Sequence, residues 1–173
     1  MKLRLLLFFL TGSLVMLYVM AKTGQPLKTP VTPQGILNLE FAYNNDKVNT
    51  IVYNWTSINT VDTIAAAKQN TWLDFIFLFF YSGFLFLASK RISGLFGGGF
   101  GKAGKFISKA ALLAGFLDIL ENAGMLLSLS GSGSNTIAFC TTLFSVIKWG
   151  LALLAVLYVL TGGIGLLRNR FIK

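Results

Sequence analysis

Apolar residues crowd into four runs along this chain, at residues 5–21, 71–89, 110–130 and 137–167, and polar residues gather between them. About 20 apolar residues of helix cross a bilayer, so each run predicts one transmembrane helix. The fourth, at 31 residues, is long enough to tilt or to emerge from the membrane. Residues 22–70 carry a different pattern. Thr29-Pro30-Val31-Thr32-Pro33 predicts extended backbone, because proline biases its predecessor away from helix. Thr32 then resembles an N-cap with Pro33 at the first helical position, opening a short helix through Ile36, Leu37, Leu39 and Phe41. Asp46 is placed to cap a second helix. Its Val48, Ile51, Val52 and Trp55 recur at i, i+3, i+4 and i+7, which makes one apolar face. Asn59 or Thr60 is expected to start a third helix that runs into the second span.

Charge orients these elements. Lys and Arg accumulate on the cytoplasmic side of membrane proteins. Ten of the 15 cations fall on one side: Lys2, Arg4, Lys90, Arg91, Lys102, Lys105, Lys109, Arg168, Arg170 and Lys173. Lys22, Lys28, Lys47 and Lys68 lie on the other, and Lys148 lies inside a span. Both termini are therefore expected in the cytoplasm, with the chain integral to the cytoplasmic (inner) membrane. The fold class expected is all-α: a four-transmembrane-helix bundle, one membrane domain over residues 1–173. A short helical extracytoplasmic segment occupies 22–70 and a cytoplasmic loop 90–109. Hydrophobic residues make up 54% of the chain and charged residues 12%, about half the charged share of a soluble domain.

The net charge of +9 then reads as an orientation signal and not as a nucleic-acid footprint. The bilayer is the expected partner, with Lys102, Lys105 and Lys109 as candidate contacts for lipid headgroups. The first span could also be read as a signal peptide, since Val19-Met20-Ala21 resembles a small-residue cleavage site. Its length favours an uncleaved anchor.

The chain has no His and a single cysteine, Cys140. Histidine-ligated zinc, bis-histidine haem and Ser-His or Cys-His catalysis are excluded on that ground, and no metal or cofactor is expected. Gly99-Phe100-Gly101-Lys102-Ala103-Gly104 satisfies the GxGxxG pattern, and the overlapping run through Lys105 nearly satisfies a phosphate-binding loop. Phe106 stands where Ser or Thr would hold magnesium, and both motifs need a preceding strand. A membrane helix precedes this run, so a flexible cytoplasmic hairpin is expected and no nucleotide.

The apolar face of Val48, Ile51, Val52 and Trp55 has two readings. One is a helical lid on the outer ends of the spans, with Trp55 and Trp72 at the interface. The other is an extracytoplasmic docking face for a partner. Amphipathic faces usually bury against their own protein, which favours the lid. Asn54-Trp55-Thr56 also fits a glycosylation sequon, a pattern common by chance.

The charges inside the spans carry the most information. Ionisable groups in the membrane interior are costly and mark polar interiors. Asp118, Glu121 and Asn122, spaced i, i+3 and i+4, share one face of the third span, and Ala114, Gly115 and Met125 continue it. At about 1.5 Å per residue, Glu121 lies about 13–14 Å below the outer end of its span and Asp118 about 18 Å. Lys148 lies about 16–17 Å below Ile137 on the same scale. The cation thus meets both carboxyls in depth, and Glu121 is its expected first partner. Asp74 is three residues into its span, near the outer interface, with Tyr81 two turns further on. Thr141, Thr142 and Ser145 extend a polar seam. A polar clamp between helices, a proton-linked path, a catalytic carboxyl pair and a contact for a partner helix all fit this set.

Asp118-Ile119-Leu120-Glu121-Asn122, with Asp74-Phe75-Ile76-Phe77, Leu39-Glu40 and Trp55, resembles an uncharacterised group of small four-span bacterial membrane proteins. The resemblance implies the architecture and no activity. The first functional expectation is a non-catalytic accessory or assembly subunit that docks to other integral membrane subunits of a larger complex. The alternative is a small proton-coupled carrier or channel built on Asp118, Glu121 and Lys148. Third is an integral membrane enzyme acting on lipid.

Overall fold

A computed structural model describes residues 3–57 and 62–171, with side chains described through Arg168. It is all-helical among those residues: α1 (Leu3–Thr23), α2 (Ile36–Glu40), α3 (Asn45–Thr56), α4 (Thr63–Leu95), α5 (Gly98–Leu129) and α6 (Asn135–Phe171), with one 3-10 turn at Gln25–Leu27. Helices α1, α4, α5 and α6 are long and apolar enough to cross a membrane. Helices α4, α5 and α6 pack on one another, and α1 packs on the outside of α4.

The helices outrun their apolar stretches. The expected loop at 90–109 is helical apart from Phe96 and Gly97, which alone separate α4 from α5. A helix does not stop where its side chains turn polar, because its hydrogen bonds are made within the backbone. The break comes at the glycine run instead, where Gly98 takes a φ of 63° that other residues adopt only with strain. The GxGxxG run is therefore neither a flexible hairpin nor a loop. Two of its glycines serve packing: a Cβ on Gly104 would overlap the Tyr158 side chain, and one on Gly101 would overlap the Phe96 carbonyl.

Capping also differs from expectation. Asn44, not Asp46, caps α3, its side chain accepting from the Lys47 N–H at 2.9 Å. Asp46 sits in the first turn, where its charge suits the helix dipole. Thr32 caps nothing. It is buried, and its hydroxyl donates to the Leu27 carbonyl at 2.7 Å. Gly35, at φ 63°, precedes α2 in its place. The expected start at Asn59 or Thr60 lies outside the described residues. Asp62 caps α4, accepting from the Ala65 N–H at 2.9 Å.

The face on α3 is covered by its own chain. Val48, Ile51 and Trp55 are buried and Val52 half-buried, in a core with Leu27, Leu39, Ala67, Met125, Leu129 and Ala138. Trp55 is 1% exposed, and its indole N–H donates to the Leu27 carbonyl and the Thr32 hydroxyl, each at 3.1 Å. These residues form no docking surface, and Trp55 is no interfacial anchor, whereas Trp72 is exposed. Asn54 of the sequon accepts a hydrogen bond from Thr29 at 2.7 Å.

A second apolar core, of Leu85, Ile92, Ile107, Ala111, Ala155 and Tyr158, lies further along the same three helices. On each of α4, α5 and α6 the buried charged residues fall between the positions that feed the two cores. Glycines set the helix spacing beside that polar layer. A Cβ on Gly115 would come within 2.8 Å of Ser82 on α4, and one on Gly124 would overlap Thr141 on α6. Such small residues let neighbouring helices approach closely.

Helix α1 joins α4 by a reciprocal fit. Phe80 lies against Gly12, and Phe9 lies against Gly83. Near the end of α1, the Asn70 amide donates to the Met20 carbonyl at 3.0 Å and to the Thr23 hydroxyl at 2.8 Å.

Candidate functional site

Carboxyls from α5 and α2 converge on Lys148 of α6. The side chain enters from α6 and is 5% exposed. Its Nζ lies 2.9 Å from Asp118 Oδ1 and 2.8 Å from both Glu121 carboxyl oxygens. Asp118 and Glu121 come from one face of α5, as their spacing requires. Glu121 does not take the lysine alone. A third carboxyl, Glu40, reaches Nζ at 3.7 Å from the last residue of α2.

The remaining partners fix each carboxyl in place. The Tyr81 hydroxyl donates to Asp118 Oδ2 at 2.7 Å. The Asn122 amide donates to Asp74 Oδ2 at 2.9 Å. Glu40 Oε2 accepts from Ser145 and from the Trp149 indole, each at 3.2 Å, and the Thr142 hydroxyl donates to the Glu40 carbonyl at 3.0 Å. Four of the chain's six acids, Glu40, Asp74, Asp118 and Glu121, are thereby buried in one layer with a single ammonium. Two buried oxygens beside them, Asn122 Oδ1 and Thr141 Oγ1, have no hydrogen-bond partner among the described residues.

Asp74 lies beside Asn122 and so at the level of this layer. Helix α4 starts at Thr63, so Asp74 is about 16–17 Å along it. Asp118 and Glu121 are about 12–17 Å from the Leu129 end of α5, and Lys148 is about 19–20 Å from Asn135. Tyr81, one face and two turns beyond Asp74, completes the layer.

Glu40 and Trp149 are the residues that sequence reasoning missed as site members. The partners of Glu40 run from Thr142 to Trp149, about 10–21 Å along α6 from Asn135. Five residues later the Asn45 N–H bonds to Asn135 at the very start of α6, at 2.8 Å. The segment before α4 therefore dips into the bundle and climbs back, and is not only a lid. No local signal marks Glu40, which closes a short helix between the buried Leu39 and the exposed Phe41.

The carboxyls are held apart by lysine, tyrosine and asparagine, and among the described residues no three acids or thiols are grouped to hold a metal ion. Lys102, Lys105 and Lys109 are remote from this layer, exposed on the Gly98 half of α5. No protein-family model matches the chain, and no curated protein and no solved structure matches it.

Proposed function

We propose that this chain is a small multi-pass membrane protein that takes up and releases protons at the acid–lysine layer, acting as a proton-coupled carrier. The observation that carries this reading is the charge count: four buried carboxyls face one ammonium. A dry interior does not hold three uncompensated negative charges, since each unpaired buried ion costs several kcal/mol (roughly). Protons on the carboxyls that Lys148 does not balance restore neutrality. Intramembrane acids of this kind mark proton relays in pumps and transporters. Glu40 links the layer to α2, one short helix on a segment entering from one end of the bundle.

The membrane is taken to be the cytoplasmic membrane with both termini inside, on the strength of ten cations at the end that holds them. The test is difference infrared spectroscopy of the reconstituted protein. A protonated-carboxyl band at neutral pH that changes in Asp74→Asn supports the reading. Absence of any such band at neutral pH overturns it.

A second reading, an accessory subunit docked to other integral membrane subunits, is favoured by α1. Only Met16 of that helix is buried, and among the spans it rests mainly on α4. Copurification of a stoichiometric partner from native membranes supports this reading; proton-driven flux from the isolated protein in liposomes supports the carrier.

A further inference from the structure

The end of the bundle away from α2 and α3 carries a stripe with a change of character built into it. Lys102, Lys105 and Lys109 are exposed at i, i+3 and i+7 on α5, and Phe106 stands 70% exposed among them. None of the three lysines makes an ion pair among the described residues. Residues 75–117 contain no acid, so nothing nearby in sequence neutralises them. The same outward face then continues through Leu112, Leu113, Phe116 and Ile119, all exposed. One helix face is thus cationic for about 10 Å and apolar thereafter.

We propose that this stripe binds an anionic phospholipid, its phosphate held by Lys102, Lys105 and Lys109 and its acyl chains laid along Leu112, Phe116 and Ile119. The dimensions agree. Lys105 to Ile119 spans about 21 Å of helix, and one leaflet with its headgroup is about 20–22 Å thick. An acidic peptide would match the lysines and leave the apolar half uncovered; a phospholipid matches both. Lysines at the other end are used differently: Lys47 lies over the Tyr43 ring at 4.0 Å and Lys22 over the Tyr18 ring at 5.7 Å. The proposal rests on the chain crossing a bilayer and is independent of proton binding at Lys148.

The test uses the full chain in neutral detergent, titrated with phosphatidylglycerol, phosphatidylcholine or water-soluble glycerol phosphate. Thermal stability and lipid retention by native mass spectrometry are read together. Phosphatidylglycerol is expected to raise the melting temperature and the other two are not. Substituting Lys102, Lys105 and Lys109 together by Gln should remove at least half of that rise and weaken retention at least tenfold. Substituting the same three by Arg should keep both, which separates charge from folding. The equal-charge control, Lys22, Lys28 and Lys47 to Gln, should behave as the parent protein. The proposal is overturned if the parent shows no preference for phosphatidylglycerol, if glycerol phosphate stabilises equally, or if the control loses as much as the triple variant.

Discussion

Glu40 Oε2 lies 3.7 Å from Lys148 Nζ, although one residue belongs to a five-residue helix outside the spans and the other to the middle of α6. This pair ties the segment between α1 and α4 to the charged layer of the bundle. It also makes Lys148 the common partner of three carboxyls and not of one.

That sharing sets the first prediction. Lys148→Met leaves the carboxyls without their cation and should destabilise by about 3–5 kcal/mol. Adding Glu121→Gln should recover only part of the loss, since Asp118 still faces the vacated position. Adding Asp118→Asn as well should recover more. The measurement is thermal stability of the four proteins in one detergent at one pH. A loss that Glu121→Gln and Asp118→Asn do not reduce would mean that the lysine and the acids do not interact.

Trp55 is the largest fully buried side chain. Trp55→Ala should cost about 3–5 kcal/mol from the lost packing. Trp55→Phe keeps much of the volume but removes the N–H shared by the Leu27 carbonyl and Thr32. It should cost about 0.5–1.5 kcal/mol for the lost hydrogen bond, since the Thr32 hydroxyl still donates to the Leu27 carbonyl. Unchanged melting of the alanine variant would place the indole outside a packed core.

The fit of α1 on α4 gives a paired test. Gly12→Ala should clash with Phe80, and Gly83→Ala with Phe9, each costing about 1–3 kcal/mol as overpacking does. Phe80→Ala should relieve the first clash and leave the second untouched. Crossed rescue, with Phe80→Ala relieving Gly83→Ala, would contradict the geometry.

Orientation is checked by labelling intact cells with a membrane-impermeant thiol reagent in a Cys140→Ala background. Tyr53, 76% exposed on α3, should react as Tyr53→Cys. Lys102→Cys, at the opposite end, should stay unlabelled until the cells are broken. The reverse pattern would invert the bundle.

The spans were legible because about 20 apolar residues have few other uses, and Asp118, Glu121 and Lys148 were legible because depth follows from helical rise. Helix ends were not. Lys90 and Lys109 interrupt the apolar pattern without interrupting backbone hydrogen bonds, so polarity did not mark the helix ends. The turns of α4 before Thr71 are polar, so the apolar run did not show how far into the helix Asp74 lies. Glu40 was hidden for another reason. Its burial depends on where Gly35 turns the chain and on Thr142, Ser145 and Trp149 across the bundle, and no local pattern records such long-range packing.

The two apolar cores that bracket the charged layer are built unequally. One side is closed by a segment of short elements, the Gln25–Leu27 turn, α2 and α3, which bonds back to the start of α6 at Asn135. The other side is closed by three continuous helices, locked where Tyr158 sits against Gly104 and where its hydroxyl donates to the Phe100 carbonyl at 3.2 Å. The charged layer is thus covered by short elements on one side and by long continuous helices on the other. If protons are exchanged there as proposed, access from the two sides calls for two separate motions, one of α2 away from Lys148 and one of α6 against Gly104.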